Sequence, residues 1–308
     1  MSPTVSVVVP SRGGAERLPV LLDCLERQTH DDWEVVVVLD GDVDGSEQVL
    51  AAWADRVPVR AVVFPANRGR PAALNAGHAD AKGEVLVRCD DDLAPGPDYV
   101  QLHAAAHVAG PAGVVGMCRN VFPETAYARV YGRPAYERFR QGAHAAPPGT
   151  RWRYWGGNVS VDRETWDRVG PYDEGYRGYG WEDVDWGYRV HDAGVPIMVV
   201  PGLETDHHIA ATTTAGRALR AYYSGSARRR FESKHGFQVV APGGRDPWNL
   251  AVGAAARVLS EQGVGRAGRV VDRLADRLPR WVAEKAVALT VEAGALAGYR
   301  RSDAGQAI

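Results

Sequence analysis

Three consecutive carboxylates, Asp90-Asp91-Asp92, close the short run Val85-Leu86-Val87-Arg88-Cys89. The run is β-branched and follows a Lys82-Gly83 turn, so it predicts a buried strand over 85–89. In an open α/β sheet, ligands bind beyond the carboxyl ends of the strands. Three acids at one such end repel one another unless a cation or a ligand compensates them. Hard divalent cations take oxygen ligands, and Mg²⁺ is usually held by one or two carboxylates plus substrate phosphates. The local chemistry is therefore a metal–phosphate site, although a lone acidic triplet also fits a solvated loop. A second acidic pair, Glu182-Asp183, opens a segment in which Trp181, Val184 and Tyr188 recur at i, i+3, i+7, the spacing of a helix. Acids at a helix start are favoured by its dipole even without a further role. The third group is Asp206-His207-His208, beyond a strand over 197–200 and Pro201.

The elements that must position these groups are legible around them. Val5 to Pro10 reads as a strand covered on both faces, followed by the loop Ser11-Arg12-Gly13-Gly14. Leu18, Leu21, Leu22 and Leu25 mark an amphipathic helix. Glu34 to Asp40 is a second buried strand, and Asp44-Gly45-Ser46 turns into a helix through Trp53. Val59 to Phe64 is a third strand, and 71–79 a helix with Pro71 near its start. This alternation predicts a mostly parallel sheet with right-handed crossovers. Ser11, Arg12, Asp40 and Asp90–Asp92 then share one edge, the geometry of a nucleotide pocket. Neither a G-x-G-x-x-G after the first strand nor a G-x-x-x-x-G-K-[ST] occurs, which excludes a dinucleotide fingerprint and a P-loop.

Composition bounds the class. The 308 residues carry a formal net charge of −2, with 45% apolar and 24% charged residues. That describes an ordinary globular chain and gives no global pull toward nucleic acid. Cys24, Cys89 and Cys118 are too scattered for a disulfide framework or zinc spacing, which suits a reducing compartment. The N-terminus lacks the charged and apolar regions of a signal peptide. No stretch reaches 18 apolar residues, so no transmembrane helix is expected. These features predict a cytoplasmic protein, with contact at the inner face of the membrane left open.

With these pieces on the page, the chain resembles the family-2 glycosyltransferases, whose fold is called GT-A. The matching stretches are Val5–Arg12, Val35–Ser46, Asn67–Gly77, Val85–Leu93, Gly156–Val161, Gly170–Asp173, Trp181–Gly194 and Val199–His207, in the family's order. The resemblance implies an α/β GT-A fold with a mostly parallel central sheet flanked by helices, plus a C-terminal helical appendage. It implies a nucleotide-sugar-binding half over 1–118, an acceptor-binding and catalytic half over 119–215, and a helical extension over 216–308. It implies inverting, metal-dependent sugar transfer from a nucleoside-diphosphate sugar, UDP by analogy, to an acceptor hydroxyl. The acceptor is a carbohydrate, a lipid-linked molecule or a small molecule.

By the same resemblance, Pro10, Ser11, Arg12, Asp40, Arg70, Asp90 and Asp91 face the nucleotide sugar. Asp40 stands in Leu39-Asp40-Gly41-Asp42 rather than the familiar Asp-Asp-Gly-Ser, and it also reads as a turn former. Asp92 and His207 would hold the divalent cation, Mn²⁺ or Mg²⁺, with His208 as the alternate ligand. Asp183 would be the general base and Glu182 would orient the acceptor. Trp155, Gly156, Gly157, Asn158 and Trp181 would border the sugars; the aromatics equally fit a core.

Residues 120–155, rich in Tyr, Arg, Pro and Gly, read as a mobile lid or an acceptor wall over the acidic cleft, or simply as an irregular connector. Arg217, Arg220, Arg228, Arg229, Arg230 and Lys234 form a basic helical patch, either solvated or facing a lipid phosphate. Over 249–299, the spacing of Val270, Leu274, Leu278 and Trp281 predicts helices that pack on the core, pair two copies or touch a membrane. Two rivals remain at this point. A related nucleotidyltransferase would release pyrophosphate, and a non-catalytic sugar-nucleotide-binding protein would bind without turnover.

Overall fold

Every residue of β1 (Val5–Ser11) is buried, as its near-continuous apolar run predicts for a central strand. The computed structural model of the protein describes residues 4–208, 210–239, 244 and 246–301. In chain order, β1 is followed by α1 (Leu18–Glu26), β2 (Trp33–Leu39), α2 (Ser46–Trp53), β3 (Val59–Val63), α3 (Arg70–Asp80) and β4 (Val85–Cys89). Then come β5 (Leu93–Ala94), α4 (Tyr99–Ala106), β6 (Gly113–Val115), β7 (Cys118–Asn120), α5 (Arg133–His144), β8 (Asn158–Asp162), α6 (Arg163–Val169), α7 (Glu182–Asp192), β9 (Ile197–Val199) and β10 (Thr205–His207). The chain closes with α8 (Thr214–His235), α9 (Pro247–Val258), α10 (Glu261–Leu274) and α11 (Arg280–Arg300).

The chain divides into two compact units. One comprises Met1–Val121, Arg140–Glu174 and Glu182–Ile209; the other comprises Phe122–Phe139, Gly175–Trp181 and Ala210–Ile308. The first is built on a seven-stranded sheet of order β3-β2-β1-β4-β8-β6-β9. Its strands are parallel except β8, which runs antiparallel to β4 and β6. The expected mostly parallel sheet is thus observed. Leu18, Leu21, Leu22 and Leu25 of α1 lie in the core with Val7, Val9, Val35 and Val37. A small second sheet, β5-β10-β7, pairs His207 with Leu93 and with Asn120. That pairing carries His207 to the end of the acidic triplet.

The second unit holds α8 to α11. Thr213, Asp246 and Ser260 each accept a backbone N–H with their side chains and so cap α8, α9 and α10. Helices α8 and α11 approach closely because both present glycine: a Cβ on Gly298 would run into the Tyr222 carbonyl, and one on Gly225 into that of Ala295.

Two readings of the sequence are corrected. Residues 120–155 are not an irregular connector: they contain a π-helical turn (Ala128–Gly132), α5 and a 3-10 segment (Pro148–Tyr154). Only Ala143 of α5 is buried, so its polar composition masked the period. The spacing of Val270, Leu274, Leu278 and Trp281 does not mark one packing face either. It crosses from α10 into α11, and Val270, Leu274 and Trp281 are exposed. The inward side is set instead by small residues such as Gly265, Gly268, Ala283 and Ala297.

Two histidines of the first unit, His78 and His103, are buried, and a third, His107, is half-buried. His78 stacks on Trp166 with ring centroids 4.2 Å apart and hydrogen-bonds the Leu74 carbonyl. His103 and His107 both meet the Ser160 hydroxyl at 2.8 Å. Burial pushes their pKa values down to about 4, about 3 and about 4. Unfolded, each titrates near the ordinary value of about 6.5. The unfolded chain therefore takes up protons first, and the stabilisation present above pH about 6.5 drains away as pH falls toward 4. Urea midpoints should drop steadily across that window. A midpoint that is flat or rising there would contradict the burial of these rings.

Candidate active site

The chain lays β1, β2 and β3 to one side of the sheet and then starts again at β4 on the other side of β1. β1 pairs with β4 only from Val5↔Val85 to Val8↔Arg88, whereas its pairing with β2 continues to Ser11↔Leu39. The two strands therefore part at their carboxyl ends, at the point where strand order reverses. Such a switch point is where open α/β sheets bind ligands. Pro10 and Ser11 end β1 there, Asp40 follows β2, and Asp90 to Asp92 follow β4.

Arg88 is the charged member of β4 and is 1% exposed. Its Nε donates to Asp90 Oδ1 at 2.8 Å, its Nη2 to Asp90 Oδ2 at 3.2 Å, and its Nη1 to Asp183 Oδ1. One guanidinium thus joins the triplet to the Glu182-Asp183 pair. Burial alone would push the Asp90 carboxyl up; Arg88, helped by Arg70, outweighs it and holds it below the usual carboxylate range. Gly157 packs against Asp90 so closely that a Cβ there would collide with its carboxylate. The Gly157 carbonyl also accepts the Asp90 N–H at 2.9 Å.

Each remaining acid has a different partner. Asp91 takes a two-pronged bond from Arg17, Nε at 3.1 Å and Nη2 at 2.8 Å, and the Ser11 hydroxyl at 2.6 Å. Burial still pushes its carboxyl up. Glu182, 2% exposed, receives Arg70 Nη1 on Oε1 at 3.1 Å, while its buried Oε2 has no hydrogen-bond partner. Burial first, and then the neighbouring charge of Asp183, push Glu182 up to about 7. Asp92 has no guanidinium partner among the described residues. Its Oδ2 lies 3.0 Å from His207 Nε2, and His207 Nδ1 lies 2.6 Å from Asn120 Oδ1. If Nδ1–H donates to Asn120, Nε2 turns its lone pair toward Asp92. The His208 side chain is exposed, and its N–H donates to the Asp92 carbonyl.

That Asp92–His207 pair fits a cation. Neighbouring ligands of an octahedral ion at about 2.1 Å stand about 3 Å apart, the separation observed here. No group of three His, Cys, Asp or Glu that could enclose a metal is present among the described residues. Two protein ligands, completed by diphosphate oxygens and water, match the usual way a Mg²⁺-type ion is held.

Other expected site residues stand elsewhere. Both carboxylate oxygens of Asp40 are engaged by backbone N–H groups, of Arg68 at 2.6 Å and Gly69 at 2.9 Å, so Asp40 pins the loop before α3. Arg12 is exposed. Trp155 is 3% exposed and packs on Trp186 at 5.4 Å, so its expected stacking on a sugar face gives way to core packing. Asn158 is buried between His103 and the Leu203 carbonyl, a scaffold rather than a wall; Gly156 is half-buried beside it in sequence. Trp181 belongs to the second unit: its Nε1–H donates to Ser224 and its ring meets Phe231 at 5.1 Å. It also has a positive φ of 71°, the only non-glycine residue to do so among the described residues.

Sequence reasoning passed over Arg17 and Arg88. Arg88 did leave a signal, since a charge inside an otherwise apolar buried strand needs a partner.

The sequence profile of Glycosyl transferase family 2 matches residues 6–166, more than half of the chain. The chain belongs to that family. A second profile, described as N-terminal domain of galactosyltransferase, matches residues 138–212. Validoxylamine A glucosyltransferase of Streptomyces hygroscopicus subsp. jinggangensis is 34% identical over a 238-residue alignment that covers 67% of this chain and 56% of that protein. Undecaprenyl-phosphate 4-deoxy-4-formamido-L-arabinose transferase of Pseudomonas fluorescens is 36% identical over 130 residues, 41% of this chain and 38% of that protein. The chain thus spans about half the length, or less, of these relatives. Among solved structures, mannosyltransferase PcManGT from Pyrobaculum calidifontis, in complex with GDP-Man and Mn²⁺, superposes with a TM-score of 0.63 at 20% identity, over 95% of this chain and 86% of its own. S. aureus TarS in complex with UDP-GlcNAc gives 0.57 at 15%, over 97% and 91%. Both agree with the GT-A fold of the family.

Removing the Arg88 charge strands two carboxylates. Arg88→Met should cost about 3–5 kcal/mol, the usual penalty for breaking a buried pair from one side. Arg88→Lys, which keeps the charge without the fork, should recover part of it. Denaturant titration reads both, and an unchanged midpoint in Arg88→Met would show that the bridge carries no stability.

Proposed function

We propose that this protein is an inverting glycosyltransferase that moves a sugar from a nucleoside-diphosphate sugar to an acceptor hydroxyl, with Asp183 as general base. The observation that carries this reading is the Arg88 bridge, which puts the Glu182-Asp183 pair and the acidic triplet into one site at a sheet switch point. Family membership supports the reaction class, and a single displacement needs one base on the acceptor side.

In this reading, the acceptor hydroxyl gives its proton to Asp183 as its oxygen bonds to the anomeric carbon. The bond from that carbon to the diphosphate oxygen breaks, and the nucleoside diphosphate departs. Arg88 holds Asp183 by Oδ1, which leaves Oδ2 for the proton. Glu182, its carboxyl pushed up to about 7 by burial, orients the acceptor. Asp92 and His207 are the residues that would hold Mn²⁺ or Mg²⁺, and such an ion would offset charge gathering on the leaving diphosphate. Arg70 faces the same charge. A UDP-linked donor is the first to test, on the analogy of the TarS complex, and GDP-linked sugars belong beside it because of PcManGT. The relatives' names bring both a small-molecule acceptor and a lipid phosphate into the assay.

A screen of nucleotide sugars for metal-dependent release of nucleoside diphosphate tests the activity. Pyrophosphate release instead would make the protein a nucleotidyltransferase, and donor binding without turnover on any acceptor would make it a binding protein. General-base catalysis contributes about 10²–10⁴-fold, so Asp183→Asn should lower turnover by about that range while donor affinity holds. Asp185 is the control: it is fully buried and pairs with Arg189 at 3.3 Å, so Asp185→Asn should act on stability. A larger turnover loss in Asp185→Asn would name the wrong carboxylate. For the cation, calorimetry on Asp92→Ala should show donor binding that no longer responds to Mn²⁺ or Mg²⁺. An unchanged metal dependence would remove Asp92 from the site.

A further inference from the structure

Helix α10 turns one side inward, where Val264, Gly265 and Gly268 are buried. Ala215 and Leu219 of α8 lie against Gly268 and Gly265. At 100° per residue, the opposite side carries Arg266, Val270, Arg273 and Leu274, and the stripe continues past the helix end to Arg277. All five are exposed, Val270 by 51% and Leu274 by 42%. Trp281, in the first turn of α11, is 71% exposed. Arg269 and Arg280 are exposed as well.

Five arginines therefore stand along 266–281 against two aspartates, and both aspartates are committed. Asp272 accepts the backbone N–H groups of Thr214 at 2.7 Å and Ala215 at 3.2 Å. Asp276 pairs with Arg129. None of Arg266, Arg269, Arg273, Arg277 or Arg280 forms an ion pair among the described residues. The surface thus combines apolar side chains left in water with uncompensated positive charge.

We propose that this face docks the protein on an anionic lipid bilayer. A helix lying in the interfacial plane needs apolar groups to enter the acyl boundary and cations to meet the headgroups. Tryptophan favours that interface, and arginine can bury its stem while its head stays with phosphate. Each basic residue near an anionic surface is worth about 1 kcal/mol, about fivefold in partition. A second copy of the chain is the poorer occupant, because a two-fold contact would set one arginine stripe against another. The inference stands apart from the catalytic reading, since none of these residues belongs to the proposed site.

The test is co-sedimentation of the full chain with phosphatidylcholine vesicles, with and without phosphatidylglycerol. Binding should require phosphatidylglycerol and weaken with salt. Trp281→Ser combined with Leu274→Ser should lower partition by about tenfold or more, and Arg273→Gln with Arg277→Gln by a similar factor. These positions are exposed, so circular dichroism, the thermal transition and donor binding should stay as in the parent. Absence of partition, or equal partition of the variants, overturns the proposal. So does light scattering that shows a dimer lost in Trp281→Ser with Leu274→Ser, which would give the face to a second copy. Retention on duplex DNA that the arginine variants lose, without vesicle binding, would give it to nucleic acid.

Discussion

A guanidinium buried to 1% exposure is costly unless carboxylates surround it. Arg88 meets that demand with Asp90, two residues along its own strand, and with Asp183, 95 residues away. The constraint works in both directions. Arg88 cannot be buried without both acids, and the acids cannot approach each other without Arg88. The start of α7 is therefore tied to the carboxyl end of β4 by the same bond that keeps the two acidic motifs together. The sheet provides the crevice, since β1 and β4 part just beyond Val8 and Arg88.

The distribution of counter-ions then separates five nearby acids. Asp90 and Asp183 share Arg88, Asp91 has Arg17, and Glu182 has Arg70. Asp92 faces only the His207 imidazole. A cation is attracted most to the carboxylate whose charge no guanidinium has cancelled, and imidazole is a ligand when neutral. Asp92 is thus the acid of the triplet without a guanidinium among the described residues, which supports its proposed place at the cation. In the proposed reading, Arg70, half-exposed at the end of its bond to Glu182, would exchange that partner for a phosphate.

The sheet and the shared edge were legible because they follow from period and order. Four apolar runs, each closed by polar residues and separated by helical spacing, leave few alternatives to a parallel sheet. The partners of the acids were not legible, because Arg17 and Arg88 reach them across 74 and 95 residues. Helix α5 was hidden by its polarity. The stripe through Trp281 misled for the opposite reason: large apolar side chains announced a packing face, while glycines and alanines made the real one. Trp155 and Asn158 sit where the family pattern passes near the donor, yet neither has surface to offer. Sequence proximity to a site does not say which way a side chain turns.

Two adjacent carboxyls, Glu182 and Asp183, raise the question of which one stays ionised. Burial and mutual repulsion cannot be relieved on both, so the proton goes to the group that solvation and pairing help less. Glu182 is the more deeply buried, one of its oxygens lacks a partner, and its pKa rises to about 7. Asp183 keeps a side chain 16% exposed and shares a guanidinium fixed in the sheet. Neighbouring carboxyls whose environments pull them apart in this way take different roles, one neutral and donating, the other charged and accepting. A base must reach the acceptor hydroxyl, and in the proposed reading that is Asp183, whose Oδ2 is left clear of Arg88. A carboxylate bonded to a guanidinium is in general a weaker base than a free one. In the proposed reading, an arriving diphosphate that drew part of the Arg88 field away would tie the strength of the base to occupancy of the donor site.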